Sequence, residues 1–287
     1  MENIIEMSDV TKKFNSEVVI DDMCIEVKKG EIFGFLGPSG AGKTTTISML
    51  IGASRPSKGS LTVNGFNNTN IGSSKFMATI GILTDISNTY ERLTIYDNLK
   101  LVAQLYDVPL SKVEETLELV NLKYAKKKVC KNLSAGMKQR VLLAKSLIHS
   151  PDILFLDEPT SSLDPTTRNH IHRGLKALNE KGTTVFLTTH DMEEANKLCD
   201  RVAFINHGKV KLIDTPQNLR YSFSNHSLTV INHKDIMKTM KINKQTADYI
   251  HDLMLKDEIK YLSTDLPTLG EVFLKVTGEE LNDNENE

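Results

Sequence analysis

Gly37-Pro38-Ser39-Gly40-Ala41-Gly42-Lys43-Thr44 constrains this chain more than any other stretch. It runs Gly, four residues, Gly, Lys, Thr, and directly follows the apolar run Ile32-Phe33-Gly34-Phe35-Leu36. That run reads as a buried strand, and Thr45-Thr46-Ile47-Ser48-Met49-Leu50-Ile51 behind it reads as the first turns of a helix. A strand that passes through glycines into a helix turns successive backbone N–H groups, and the positive end of the helix, toward one point. Residues Gly37 to Thr45 therefore form a cradle for nucleotide phosphates. Lys43 can reach the β and γ phosphates, and the Thr44 hydroxyl can ligate Mg²⁺. The plain alternative is a glycine-rich turn that binds nothing; the Lys-Thr pair in a strand–loop–helix frame argues against it.

A chain of 287 residues can hold one large α/β domain with an appendage, or two modest domains. Its 39% apolar and 25% charged residues are those of an ordinary soluble globular protein. The net charge of −2 gives no reason to expect broad nucleic-acid binding. Cys24, Cys130 and Cys199 are scattered without metal-ligand spacing and read as free thiols of a reducing compartment. The start, Met1-Glu2-Asn3-Ile4-Ile5-Glu6, lacks the pattern of a signal peptide. No apolar run approaches the ~20 residues of a membrane span.

Short strand-like runs separated by Gly, Asn, Asp and Pro fill the first 80 or so residues: Ile4–Met7, Cys24–Val27, the run before the glycine loop, and Gly59–Gly65. Between about 85 and 150 the period becomes helical, with Leu99, Val102, Ala103 and Tyr106, then Val113, Leu117 and Val120, at three- to four-residue spacing. Ser111 followed by Glu114 predicts a capping box there. Strand signals return at Ile153–Leu156 and Thr183–Thr188 with a helix near Arg168–Leu178 between them, which implies parallel pairing. Beyond Arg220 the spacing predicts a strand at Ser227–Ile231, a helix at Lys244–Leu255, a short helix at Glu271–Val276 and a disordered acidic tail from Leu281.

Ile153-Leu154-Phe155-Leu156-Asp157-Glu158 ends an apolar strand in two carboxylates. Ligands of parallel sheets gather at the carboxyl ends of strands, so Asp157 is placed to hold Mg²⁺ and Glu158 to polarise a water facing the γ-phosphate. A solvated turn before Pro159 is the alternative. Leu133-Ser134-Ala135-Gly136-Met137-Lys138-Gln139-Arg140 opens a further helix, Met137–Ile148, with a second N-terminal anion site. Alone it is a routine cap; its place in the order of motifs gives it more weight. Ser162-Leu163-Asp164 and a strand ending in Thr189-His190-Asp191 complete that order.

The whole series resembles the ATP-binding cassette (ABC) family over residues 2 to about 220. The resemblance implies an α/β P-loop NTPase (RecA-like) core with an antiparallel β subdomain and a helical subdomain, plus a small C-terminal α/β extension. The boundaries it implies are 1–220 for the nucleotide-binding domain, with the helical subdomain at about 85–150, and 221–287 for the extension. It implies that Ser134 and Gly136 contact the γ-phosphate of ATP held by a second subunit, and that Asp164 lies at the dimer contact. It implies that His190 orients the attacking water and that Phe14, in Val10-Thr11-Lys12-Lys13-Phe14, lies under adenine. A Phe after a strand is otherwise a core residue.

Two departures stand out. Ala135 and Met137 replace the commoner Gly and Gln, a variant similar to the branch that exports drugs, antibiotics and antimicrobial peptides. Asp85, in Ile80-Gly81-Ile82-Leu83-Thr84-Asp85, takes the position of the usual Gln; as a hard oxygen donor it can still ligate Mg²⁺. Acidic residues there resemble bacitracin- and lantibiotic-type exporters, and Leu266-Pro267-Thr268-Leu269 to Gly278 resembles the close of that branch. The resemblance implies an ATPase, with ATP and Mg²⁺, working as a homo- or heterodimer at the cytoplasmic face of the membrane. A separate transmembrane permease would dock near Tyr90–Asn98. Overall similarity points to a Gram-positive peptide exporter carrying small amphipathic peptides, such as phenol-soluble modulins. Of the rivals, a P-loop kinase or GTPase would lack the Leu-Ser-x-Gly and His190 motifs. A soluble cassette ATPase acting on ribosomes or DNA would carry tandem cassettes or a long coiled-coil insertion.

Overall fold

The computed structural model describes residues 2–84, 87–161 and 163–278. Asp85, Ser162 and the acidic tail lie outside the described residues. The chain divides into two compact units, one running to Ile213 and one starting at Asp214.

The first unit opens with two long antiparallel strands, β1 (Asn3–Phe14) and β2 (Glu17–Lys28). Each is 12 residues, three times the apolar stretches legible in the sequence, because β-bulges let polar residues continue the ladder. Then come β3 (Ile32–Leu36), α1 (Lys43–Leu50), β4 (Lys58–Val63), β5 (Phe66–Asn67), α2 (Ser74–Met77) and β6 (Ile80–Leu83). The helical layer holds α3 (Ile95–Leu105), α4 (Ser111–Leu119) and α5 (Ala135–Leu147). The chain returns through β7 (Ile153–Asp157), α6 (Pro165–Asn179), β8 (Thr184–Thr189), α7 (Met192–Leu198), β9 (Arg201–Asn206) and β10 (Lys209–Asp214).

Two sheets result, with strand orders β2-β1-β4-β5 and β10-β9-β3-β8-β7-β6. In the second, β6, β7, β8, β3 and β9 run parallel. Every residue of β3 and β8 is buried, as expected of central strands covered on both faces. Phe33, Phe35 and Phe155 surround Phe186 at 5.6–5.9 Å between ring centroids. Each ring contributes about 1.5–3 kcal/mol by its burial. Helix α1 contacts both β2 and β7, so one apolar core joins the two sheets and fixes the loop that precedes α1.

The capping box predicted at Ser111 does not form. Leu110 already has helical dihedrals and occupies the cap position, which makes Ser111 the first helical residue, while Glu114 pairs with Lys126 at 2.5 Å. A complete capping box occurs instead at Thr268 and Glu271.

The second unit contains α8 (Pro216–Ser222), β11 (Ser227–Asn232), β12 (Met237–Lys241), α9 (Lys244–Leu255), β13 (Ile259–Thr264) and α10 (Leu269–Thr277). Its antiparallel sheet, β12-β11-β13, buries Val230 against Ile250 and Leu253 of α9. No alternation in the sequence marks β12 and β13, because both strands are exposed or half-buried throughout. Among the described residues, no helix is long and apolar enough to cross a membrane.

Candidate functional site

Parallel pairing sets Leu36 of β3 beside Thr189 of β8, and Thr188 of β8 beside Asp157 of β7. Three strands thus deliver the glycine loop, the carboxylate pair and the His190 turn to one edge. The loop is tight by necessity. A Cβ on Gly37 would stand 2.3 Å from the Ile205 carbonyl oxygen, and Gly42, the N-cap of α1, has φ +106°. Neither position tolerates a side chain. Ser39 and Gly40 are exposed while Ala41 is buried, so the loop presents its tip and hides its base.

Lys43 is only 9% exposed. Its ammonium donates to the carbonyls of Gly37 (2.7 Å) and Pro38 (3.2 Å) and lies 3.6 Å from Glu158 Oε1. Buried charge must be compensated, and here backbone dipoles and one carboxylate do so. Thr44 Oγ1 donates to Asp157 Oδ2 at 2.9 Å, and the Thr188 hydroxyl donates to Asp157 Oδ1. Next to it, Glu158 Oε2 lies 2.8 Å from His190 Nδ1. Glu158 adopts a left-handed backbone, φ +49°, and its N–H donates to both the carbonyl and the hydroxyl of Thr188 at 3.2 Å. Thr45 sits half-buried behind Thr44.

Thr44 Oγ1 and Asp157 Oδ2 are hard oxygens already within hydrogen-bond reach of each other at the loop. This donor set suits Mg²⁺, which takes few protein ligands and keeps water or phosphate on the rest. Among the described residues, no three acidic, His or Cys side chains cluster as a closed metal cage. Asp85, the remaining expected ligand, lies outside them.

The other expected residues are placed apart from this cluster. Ser134 is exposed and caps α5 by accepting from the Met137 N–H at 3.3 Å, with Gly136 in the first turn. Among the described contacts neither bonds to this chain's own glycine loop. Asp164 is exposed and caps α6; hydrogen bonds from the Thr167 hydroxyl and backbone, then from the Thr166 N–H, hold its carboxyl below the usual range. Phe14 is 50% exposed, with the Lys12 ammonium 4.8 Å from its ring centroid, so it is no core residue.

Several partners escaped the sequence reading. Gln139 of α5 reaches the carbonyls of Glu158 (3.5 Å) and Pro159 (3.4 Å). Thr188 braces Asp157, and Thr160, Thr189 and His172 surround a buried Glu194. The hydroxyls of Thr184, Thr188 and Thr189 in an otherwise apolar strand were the available signal, since a buried hydroxyl needs a partner.

The family profile described as ABC transporter matches residues 20–161, and one described as "AAA domain, putative AbiEii toxin, Type IV TA system" matches 129–196. A fluoroquinolones export ATP-binding protein of Mycobacterium tuberculosis is 36% identical, over 93% of this chain and 90% of that protein. The linearmycin resistance ATP-binding protein of Bacillus subtilis is 32% identical, over 98% of this chain and 100% of that protein. Among solved structures, the ATP-binding cassette MJ0796, a dimer in a post-hydrolysis state with ADP and Pi, superposes with a TM-score of 0.67. It is 26% identical and covers 74% of this chain and 98% of its own. The phosphate loop, the carboxylate strand and the His190 turn at one sheet edge accord with these likenesses, and the chain belongs to the ABC transporter family as an ATP-binding, ATP-hydrolysing subunit.

Proposed function

We propose that this chain powers export, hydrolysing ATP at a seam between two cassettes and driving a separate membrane subunit. The observation that carries the reading is the joint placement of Lys43, Thr44, Asp157, Glu158 and His190 at one sheet edge. Lys43 exchanges the Gly37 and Pro38 carbonyls for phosphate oxygens, and the backbone N–H groups of Gly40 to Thr45 close around them. Thr44 and Asp157, with Asp85 as a further donor, would hold Mg²⁺, which would stabilise the phosphate charge. Glu158 accepts a proton from water while His190, 2.8 Å away, holds its carboxylate in line. Phe14 offers its open ring face to adenine.

Ser134 and Asp164, exposed helix caps, and Gly136, half-buried in the first turn of α5, lie outside this cluster, where they serve the nucleotide of a second cassette. The dimeric MJ0796 structure supports this arrangement. A groove of about 510 Å³ beside the helical layer, lined by Ile82, Tyr90, Leu101, Leu105 and Leu142, receives a cytoplasmic helix of the membrane subunit. That would hold the chain at the cytoplasmic face. The fluoroquinolone-export and linearmycin-resistance names of the relatives support drugs or toxins as cargo.

The test combines hydrolysis with assembly. Glu158→Gln should lose at least ~100-fold in ATPase rate and elute as an ATP-dependent dimer, as expected when binding survives and chemistry stops. Lys43→Ala should lose both. Full turnover in both variants would refute the site, and an ATP-loaded Glu158→Gln protein that stays monomeric would refute the seam.

A further inference from the structure

Glu194 is 3% exposed and lies on α7. Its Oε1 accepts from the Thr160 hydroxyl and from His172 Nε2 (2.8 Å), and its Oε2 accepts from Thr189 Oγ1 (2.8 Å). Thr160 comes two residues after Glu158, and Thr189 directly precedes His190. His172 belongs to α6, the helix that Asp164 caps. Three segments that end in proposed functional residues thus converge on one carboxylate.

We propose that Glu194 is a positioning residue that holds Glu158 and His190 in register with each other and with α6. This rests on reading Glu158 and His190 as the hydrolytic pair. Strand β7 stops at Asp157 and β8 at Thr189, so the backbone ladder that aligns these strands ends where the reacting side chains begin. Glu194 takes over beyond that point. Glu158 has a left-handed backbone that non-glycine residues seldom adopt, so its neighbours must hold it there.

A simple helix-capping role does not account for Glu194. Asp191-x-x-Glu194 has the spacing of a capping box, in which the glutamate folds back onto the cap N–H. Here the Asp191 N–H donates to Thr189 Oγ1 at 3.0 Å, and Asp191 alone caps Glu193 and Glu194. Burial pushes the Glu194 carboxyl up, yet the hydrogen bonds from His172, Thr160 and Thr189 outweigh it and leave the group below its ordinary range. It therefore remains a full acceptor for three donors. A second tie runs parallel to it: Arg168, one turn before His172 on α6, pairs with Asp191 at 2.6 Å.

Misplacing a reacting group by about 1 Å can cost ~100-fold in rate without weakening ground-state binding. Steady-state ATPase and nucleotide-binding measurements on the full chain test the idea. Thr160→Val keeps side-chain volume while cutting one arm; Thr189→Val cuts the other and also removes the acceptor of the Asp191 N–H. Each is expected to lower kcat about 5–10-fold, with nucleotide Kd within about twofold and Tm nearly unchanged. Glu194→Ala should lower kcat at least ~30-fold. Glu194→Gln should recover to within about fivefold of the parent, since its carbonyl still serves Thr160 and His172 and the Thr189 hydroxyl can turn to accept. Folded threonine variants with parental kcat, or losses that merely track the folded fraction, would overturn the proposal. A Glu158→Gln control separates the causes: if it too keeps full turnover, the hydrolytic reading fails and the proposal goes with it. If it is inactive and the threonine variants are not, only the positioning role falls.

Discussion

At the carboxyl edge of the six-stranded sheet, charged groups are buried or half-buried and engaged with partners; beside the helical layer, apolar groups are exposed and idle. Lys43, Asp157 and Glu194 each have two or more partners. Tyr90, Leu101 and Leu105 are 62%, 44% and 79% exposed around the groove. Even the polar groups there are poorly served. Lys145 reaches the Asn88 carbonyl, at 2.5 Å, and lies 5.8 Å from the Tyr90 ring centroid, and among the described residues His149 Nδ1 is buried without a partner. The first region is organised in advance for one small, highly charged ligand. The second has the character of half an interface.

The largest effect that could break this contrast concerns Asp157. If its two hydroxyl donors fix a carboxylate for Mg²⁺, Asp157→Asn should cut ATPase about 100- to 1000-fold and raise the Mg²⁺ needed for half-maximal rate. Tm should barely move. Chelating divalent cations should stop the parental protein equally well, and undiminished turnover in chelator would show that the edge works without a metal.

Asn98 sharpens the contrast from the other side, because the helical layer also contains a polar lock of the same quality. Fully buried, Asn98 accepts from the Tyr90 N–H (2.8 Å) and donates to the carbonyls of Tyr90 (3.1 Å) and Thr94 (2.9 Å). Asn98→Ala leaves these groups unpaired and should cost about 2–3 kcal/mol in denaturant unfolding. A loss under about 0.5 kcal/mol would mean that Tyr90 finds other partners and that the lock is not structural.

Leu105 gives the opposite expectation. It buries little, so Leu105→Glu should change stability by no more than about 0.5 kcal/mol and leave the ATPase of the isolated chain intact. In cells the same variant should no longer fractionate with membranes. Retained membrane association would show that the groove is not the docking surface.

These two regions were not equally legible in the sequence. The glycine loop, Asp157, Glu158 and His190 can be placed from sequence because parallel strands put their carboxyl ends on one edge whatever else surrounds them. The bracing hydroxyls could not be placed. Thr160 meets Glu194 across 34 positions and Thr188 meets Asp157 across 31, so no local pattern records either pair. Ser111 shows the converse failure, a local pattern overruled when Leu110 adopts helical dihedrals and starts the helix one residue early. In the C-terminal unit, alternation fails in strands that bury little on either face, such as β12, where Lys238 and Lys241 fall on opposite faces.

Acid titration sharpens the comparison with the smallest effect. His149 stacks on Tyr106 at 4.0 Å between centroids; burial lowers its pKa from 6.5, partly offset by its hydrogen bond to the Ile80 carbonyl. The unfolded chain therefore takes up this proton first. Stability should begin to fall as pH drops below 6.5, and the loss should stop growing below the folded-state value. Glu194 is also lowered, from 4.5, but there the folded state holds the charged form. Its contribution is complete above 4.5 and is lost as pH falls through the folded value, so the two regions should titrate in separate windows. His149→Gln should remove the upper window and leave the lower one, whereas Glu194→Gln should do the reverse. Tyr106→Phe keeps the stacked ring and should preserve both. A single acid transition, unchanged in either His149→Gln or Glu194→Gln, would mean that neither group reports on its own region and that the contrast in how the two sites treat charge is not a thermodynamic one.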